Sequence, residues 1–228
     1  MVEYVIKPPE TPALPVAGTG QMFPVRRIYC VGRNYAEHAR EMGHDPDREP
    51  PFFFAKPADA APHDGQVPFP AATADLHHEV EMVVAIGKGG SDIAVGDALN
   101  HIYGYSVGID FTRRDLQAEA KKMARPWATA KGFDHSGPCG AIRPASEIGH
   151  PDSGRIWLKV NGETRQESDL TDLIWKTPEV VSHLSGLFRL EPGDLIMTGT
   201  PSGVAQVVRG DKLECGVDGI GTLTVKLV

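Results

Sequence analysis

Short apolar runs separated by glycine and proline dominate the hydrophobic pattern of this 228-residue chain. Residues 76–86 and 103–109 are the clearest such runs, and each is typical of one buried strand. Residues 26–31 and 52–57 show the same pattern over a shorter length. With 25 glycines and 19 prolines to form turns, the chain is predicted to adopt an α+β fold, rich in short strands and with few helices.

Turn and cap signals indicate where strands pair and where the longest helix begins. Residues 156–165 predict a hairpin, because Asn161-Gly162 suits the two central positions of a type I′ turn. Residues 177–188 predict a helix with Pro178 at its first position and one apolar stripe for the core.

Two shorter helices are predicted near polar segments. One covers residues 34–43 with Asn34 as its cap, and the other covers 112–123 and opens with a capping box. The proline-rich residues 1–25 predict an irregular lead-in with one short strand near 4–6. The length suits a single domain that spans the whole chain, 1–228.

Composition and charge exclude several classes of protein. The formal net charge is −7 and there is no basic run, which argues against a nucleic-acid partner. No apolar run approaches the length of about 18 residues that a membrane span needs, and the first residues do not resemble a secretion signal. The three cysteines are scattered, which suits a reducing cytoplasm without disulfides.

Two acids at the start of the 76–86 run are the first candidates for chemistry. Glu79 and Glu81 are two positions apart, so on a strand they share a face and repel each other. Asp110 ends the 103–109 run, and the three carboxylates together would suit Mg²⁺ or Mn²⁺. The alternatives are a solvated strand face for the two glutamates and a helix N-cap for Asp110.

A histidine and a glutamate on the first predicted helix form the second candidate. His38 and Glu41 lie at i and i+3 on one face, where a carboxylate can orient an imidazole that acts as a general base. The alternative is an exposed pair on a surface helix. Together with the polar residues 44–51, this helix is a candidate lid over the site, about 34–51, and the alternative is a plain surface loop.

Further polar side chains are candidates for binding an anionic substrate. Arg114 and Gln117 share a helix face and can hold a carboxylate. Lys131 can stabilise an oxyanion, and Thr200 lies in a glycine-rich loop that can bind one. A salt-bridged surface helix, a surface lysine and a structural turn are the respective alternatives.

Six segments together resemble the fumarylacetoacetate hydrolase family, and within it the acylpyruvase and fumarylpyruvate hydrolase branch. In chain order they are VGRNYAEHAREM (31–42), LHHEVEMVVAIGK (76–88), GIDFTRRDLQ (108–117), AKGFD (130–134), LKVNGETRQ (158–166) and LEPGDLIMTGTPSGV (190–204). The resemblance implies a mixed β-roll or barrel with a few peripheral helices, a short N-terminal lid helix and assembly as a homodimer.

The same resemblance implies a role for each candidate. Its metal ligands match Glu79, Glu81 and Asp110, and its water-activating dyad matches His38 and Glu41. Its groups that bind the substrate's pyruvyl end match Arg114, Gln117, Lys131 and Thr200, and Arg33 is added as a substrate-binding residue. Larger members of the family add an aspartate as a fourth metal ligand, which this chain does not clearly supply.

The activity that the resemblance implies is metal-dependent hydrolysis of the C–C bond of a 3-acylpyruvate, with fumarylpyruvate as the expected 2-oxo acid substrate in aromatic degradation. Oxaloacetate decarboxylation and isomerisation or hydration of a dienoic acid are the alternatives within the family. A non-catalytic metal- or acid-binding β-protein is the alternative of another class. The sequence sets neither the preferred acyl group nor the choice between Mg²⁺ and Mn²⁺.

Overall fold

The computed structural model describes residues 3–41, 49–62 and 65–228. Its strands are β1 (Ala13–Pro15), β2 (Met22–Pro24), β3 (Arg27–Gly32), β4 (Phe52–Lys56), β5 (Gln66–Val67), β6 (Leu76–His77), β7 (Val80–Ile86), β8 (Ile102–Ile109), β9 (Thr112–Arg113), β10 (Arg143–Pro144), β11 (Arg155–Val160), β12 (Glu163–Asp169), β13 (Asp194–Met197), β14 (Gln206–Val207), β15 (Lys212–Val217) and β16 (Gly221–Leu227). The helices are α1 (Ala36–Glu41), α2 (Arg114–Lys122), α3 (Ala128–Lys131), α4 (Ala145–Ile148) and α5 (Thr177–Leu187), with short 3₁₀ turns at Ala58–Ala60, Val95–His101 and Leu170–Asp172.

Two large sheets form the body of the molecule. A six-stranded mixed sheet has the order β10-β8-β7-β13-β3-β4, and a five-stranded sheet has the order β12-β11-β15-β16-β5. A three-stranded sheet, β14-β6-β9, and the pair β1-β2 complete the described strands. The predicted fold class, β-rich with a few peripheral helices, is therefore confirmed, although the described strands do not close into a barrel.

Strand β7 lies at the centre because both of its faces are buried. Met82 and Val84 contribute to the larger apolar core, which also contains side chains of β11 and β16. Val83 and Ala85 point the other way, into a second core that the β1-β2 pair covers. The continuous apolar run follows from this burial on two sides.

The structure confirms the predicted hairpin and the long late helix. Strands β11 and β12 are joined at Asn161 and Gly162, whose φ angles of 51° and 87° are the positive values that a type I′ turn requires. Helix α5 has its proline near the first position and buries Val181 and Leu184.

The N-terminal lead-in is more regular than predicted. Residues 4–6 form no strand and are exposed, whereas β1 and β2 pair as a short antiparallel ribbon. Leu14 and Phe23 anchor that ribbon in the second core, and prolines are tolerated because these are edge strands.

Both predicted caps of the short helices are wrong. The Asn34 side chain instead bonds the backbone of Trp175 and the carbonyl oxygen of Thr198, which ties two loops together. Thr112 lies in β9, and the carboxylate of Asp115 accepts bonds from residues 73 and 74. No helix of the described residues is long and apolar enough to cross a membrane.

Candidate active site

Three acidic side chains meet where two neighbouring strands of the six-stranded sheet end. Glu81 lies in β7 opposite Gly108 of β8, and Asp110 follows β8 directly. Glu79 lies in a break between β6 and β7, where its carbonyl oxygen accepts a 2.8 Å bond from the Asp110 amide. One carboxylate oxygen from each side chain lies within 4.8 Å of the others, and all three are at most 5% exposed.

Burial decides between the alternatives for these acids. A solvated strand face is excluded because Glu79 and Glu81 are both buried. The N-cap role for Asp110 is excluded because α2 begins only at Arg114, and the Asp110 carboxylate contacts lysines instead.

Two predicted cations compensate part of this charge. Lys131 Nζ lies 2.7 Å from Glu79 Oε2 and 2.7 Å from Asp110 Oδ2. Arg114 Nη2 lies 2.6 Å from Glu79 Oε1. Burial acts to raise the pKa of Glu79, but Lys131 and Arg114 lower it well below the usual range. Burial likewise acts to lower the pKa of Lys131, and its two carboxylate partners raise it above the ordinary value.

Glu81 lacks such compensation among the described residues, and one oxygen of Asp110 accepts no hydrogen bond. Glu81 contacts no cationic side chain among the described residues, and Oε2 accepts a single 2.6 Å bond from the Gly199 amide. Burial, Asp110 and Glu79 therefore raise the pKa of Glu81 well above its usual range. Asp110 Oδ1 is buried and accepts no hydrogen bond, although Lys56 Nζ lies 2.8 Å away as an ion-pair contact.

A hard divalent cation fits this arrangement. Three buried carboxylates supply the oxygen ligands that Mg²⁺ and Mn²⁺ prefer, and a cation would relieve both the repulsion around Glu81 and the unsatisfied oxygen of Asp110. The acidic cluster is thus suitable for a divalent metal.

Most of the other predicted residues line a cleft at this cluster. Gln117 accepts a 2.7 Å bond from Arg114 Nη1 through Oε1, which fixes the guanidinium between Gln117 and Glu79. Thr200 is buried and also lines the cleft. The lining residues of the cleft include Arg33, His38, Glu79, Glu81, Asp110, Arg114, Gln117, Lys131 and Thr200.

His38 is 7% exposed on α1, and it contributes to the lowered pKa of Glu79 after Lys131 and Arg114. This proximity places the imidazole beside the acidic cluster rather than on an exposed helix face. The side chain of Glu41 and residues 42–48 lie outside the described part of the structure. The His38–Glu41 pairing and the lid therefore stay predictions.

Lys56 is a site residue that sequence reasoning missed. It ends β4, its side chain is fully buried, and it contacts Asp110 Oδ1, the carbonyl oxygen of Phe111 and, closely, the carbonyl oxygen of Lys131. The available signal was a lysine two positions after three consecutive phenylalanines, in a run too apolar for a surface strand. A buried lysine almost always has a charged partner.

Gln166 is a second missed residue, and it joins the hairpin to the site. Its Oε1 accepts bonds from the Val80 amide at 3.1 Å and from His78 Nδ1 at 2.9 Å. Its Nε2 donates to Thr200 Oγ1 and to the carbonyl oxygen of Pro201, each at 2.8 Å. One buried amide thus fixes the break that carries Glu79 and the loop that carries Thr200.

The sequence favours the core rather than ligand contact for Phe54 and its neighbours, and Phe54 does pack against the second apolar core. Phe52 and Phe54 line the cleft, and both rings contact Trp127, with centroid distances of 5.6 Å and 5.8 Å. Phe52, Phe54 and Trp127 therefore form an aromatic wall of the cleft.

Comparison with known proteins places this geometry in context. The family described as "Fumarylacetoacetate (FAA) hydrolase C-terminal" matches residues 27–228. A crystal structure of fumarylpyruvate hydrolase from Pseudomonas aeruginosa, in complex with Mn²⁺ and pyruvate, is 51% identical, with a TM-score of 0.97 and 99% of each chain covered. Mitochondrial oxaloacetate tautomerase from Mus musculus is 43% identical over 89% of this chain and 91% of its own length. Mitochondrial oxaloacetate decarboxylase from Dictyostelium discoideum is 39% identical over 86% of this chain and 91% of its own length.

Proposed function

We propose that this chain, which belongs to the fumarylacetoacetate hydrolase family, hydrolyses the C–C bond of a 3-acylpyruvate, with fumarylpyruvate as its preferred substrate. The observation that carries the proposal is the contact of the Arg114–Gln117 pair with a buried three-carboxylate cluster. The similarity to a fumarylpyruvate hydrolase that binds Mn²⁺ and pyruvate supports it.

Glu79, Glu81 and Asp110 would hold Mg²⁺ or Mn²⁺, which would act as a Lewis acid on the negative charge that develops at the pyruvyl end. Arg114 and Gln117 bind the carboxylate of that end. Their mutual hydrogen bond fixes the guanidinium before substrate arrives, so little side-chain entropy is lost on binding. Thr200, which also lines the cleft, binds the same end.

His38 acts as the general base in this proposal. It takes a proton from water, and the resulting hydroxide attacks the distal carbonyl carbon. The bond between that carbon and C3 breaks, and its electron pair leaves as the enolate of pyruvate while the acyl group leaves as a carboxylic acid. Lys131 stabilises the enolate charge, and protonation at C3 gives pyruvate. For fumarylpyruvate the other product is fumarate.

A second candidate function is enolisation of oxaloacetate, with or without decarboxylation. The named oxaloacetate tautomerase and decarboxylase relatives favour it, and the same cluster of charges can stabilise an enolate without activating water. The two candidates differ in their need for a water-activating base.

Replacing His38 tests this difference. His38→Asn should lower kcat for fumarylpyruvate hydrolysis by about 10²–10⁴, the usual contribution of a general base. His183→Asn, an exposed histidine on α5, is the matched control and should leave kcat unchanged. A wild-type kcat for His38→Asn would overturn the assignment of the base.

The remaining parts of the proposal concern the whole chain. We expect one catalytic domain over residues 1–228 in the cytoplasm, and the family resemblance implies that it works as a homodimer. The three cysteines are buried and free of disulfides, which suits a reducing compartment.

A further inference from the structure

Two cations at the mouth of the cleft have no carboxylate partner among the residues that the structure describes. Arg114, Lys131 and Lys56 each contact a carboxylate of the acidic cluster. Arg33 and Lys121 also line the cleft, but neither forms an ion pair with a described residue. The positive charges of Arg33 and Lys121 are therefore not neutralised by any described carboxylate.

These two cations are joined by the aromatic wall. The Arg33 guanidinium lies 5.2 Å from the centroid of the Phe52 ring, and Lys121 Nζ lies 5.3 Å from that of Trp127. Phe52 and Trp127 meet edge to face at 5.6 Å. Arg33, Phe52, Trp127 and Lys121 thus form a continuous rim, which has a positive charge at each end and apolar surface between.

The two charges are close enough to affect each other. Burial lowers the pKa of Lys121 most, and Arg114 and Arg33 lower it further. Two like charges that share a partly desolvated rim are unfavourable in the free protein, and a bound anion would relieve this repulsion.

Local backbone geometry fixes the position of Arg33. Its φ of 56° lies in the left-handed region, which non-glycine residues seldom adopt and which is concentrated at functional sites. The preceding Gly32 packs so closely on Phe52 that an added Cβ would lie 2.0 Å from its ring. The strand end is therefore held against the aromatic wall, which positions Arg33 at the mouth.

We propose that Arg33 and Lys121 form a second anion site, which binds the distal carboxylate of a dicarboxylic acylpyruvate. The inference rests on the proposed function and deepens it. Arg114 and Gln117 hold one end of the substrate inside the cleft, and the rim holds the other end at the mouth. The faces of Phe52 and Trp127 suit a flat, conjugated acyl chain between the two carboxylates. The preference for a fumaryl over an acetyl group follows from this second site.

Two non-cleavable ligands isolate the distal carboxylate. The compound 2-oxoheptanedioate has the same chain length as fumarylpyruvate and both of its terminal carboxylates, but lacks the second carbonyl that hydrolysis needs. The compound 2-oxoheptanoate is identical except for the missing distal carboxylate. Isothermal titration calorimetry measures the affinity of each compound for the protein in saturating MnCl₂. Because both compounds share the 2-oxo acid end, the ratio of the two affinities reports only the contribution of the distal carboxylate.

The wild-type protein should bind the dicarboxylate at least about tenfold more tightly, as expected for one charge-assisted contact. Lys121→Met should bring the ratio of the two affinities close to one, and Arg33→Asn should do the same. Asparagine is chosen at position 33 because it tolerates the positive φ of that residue. Lys122→Met removes the same charge from the next, exposed position of α2 and should keep the wild-type ratio.

A wild-type ratio near one, or an unchanged ratio in Lys121→Met, would overturn the second anion site. A different pattern of results would show that the proposed hydrolase function is wrong while the anion site is correct. If the ratio is high and falls in Lys121→Met, but neither fumarylpyruvate nor acetylpyruvate is hydrolysed, the anion site stands and the hydrolase assignment is wrong. If both acylpyruvates are hydrolysed and the ratio is one, the hydrolase assignment stands alone.

Discussion

Within the acidic cluster, Glu81 is the carboxylate that contacts no cationic side chain of the described residues. A cation at the cluster would compensate it, so we expect Glu81→Gln to weaken Mn²⁺ binding by more than the 10–100-fold that loss of an outer-shell partner costs. In EDTA the same variant should have a melting temperature a few degrees above that of the wild type. Burial and the carboxylates of Asp110 and Glu79 make a negative charge at this position unfavourable, and glutamine carries none. Mn²⁺ titration by electron paramagnetic resonance and thermal melting check both effects. A lower melting temperature in EDTA together with wild-type Mn²⁺ affinity would contradict this account.

Lys56 illustrates the cost of removing one partner from a buried pair. Lys56→Met leaves Asp110 Oδ1 without a cation, and losing one partner of a buried pair costs about 3–5 kcal/mol. Because Lys131 still contacts the other oxygen of Asp110, we expect a loss near the lower end of that range. Urea denaturation measures it, with Lys88→Met, an exposed lysine, as the control. A loss as small as that of the control would show that Lys56 does not stabilise Asp110.

His78 makes the stability of the metal-free protein depend on pH. Burial lowers its pKa to about 4, and Nδ1 must donate to Gln166 Oε1 because the Val80 amide also donates there. In the unfolded chain the pKa is about 6.5, so the unfolded state takes up a proton first as the pH falls. This part of the stability is present above pH 6.5 and is lost as the pH falls towards 4, with an upper limit of about 3 kcal/mol. His78→Asn should flatten the urea-derived stability profile over that window, and a profile as steep as that of the wild type would contradict the assignment.

At the scale of elements, the hairpin of β11 and β12 holds the site together through Gln166. Gln166→Leu leaves the Val80 amide and the Thr200 hydroxyl without their buried partner, which should cost about 2–4 kcal/mol and raise KM for the 2-oxo acid. Gln166→Glu keeps the acceptor for Val80 but loses both donated bonds, so its KM should rise with a smaller loss of stability. Steady-state kinetics and urea denaturation of both variants separate the two effects. An unchanged KM in both would mean that Gln166 does not position Thr200.

Long-range contacts also explain which elements could not be predicted. The apolar run of residues 76–86 shows no interruption, and it predicts one strand. In the structure β6 pairs with β9 and β14 whereas β7 pairs with β8 and β13, so the chain must break at His78 and Glu79. The partner that stabilises the break is Gln166, which lies 86 positions from Val80 in the chain. No local pattern carries that information.

At the scale of the whole molecule, local patterns predicted the β-rich class and the cluster of three acidic side chains because both depend on short spacings. Two acids at alternate positions and one at a strand end are visible in the sequence, and neighbouring strands then bring them together. The order of strands within each sheet and the packing of one sheet on the other depend on contacts between distant segments. Lys56 was missed for the same reason, since only the folded chain brings it to Asp110.

The most direct test of the account is the loss of β-diketone absorbance for fumarylpyruvate and acetylpyruvate in parallel, with Mn²⁺ and with EDTA. The account predicts rapid loss for fumarylpyruvate that EDTA abolishes, release of fumarate and pyruvate in equal amounts, and a much slower reaction of acetylpyruvate. No loss for either substrate with Mn²⁺, together with rapid enolisation of oxaloacetate, would contradict hydrolysis as the function of this site.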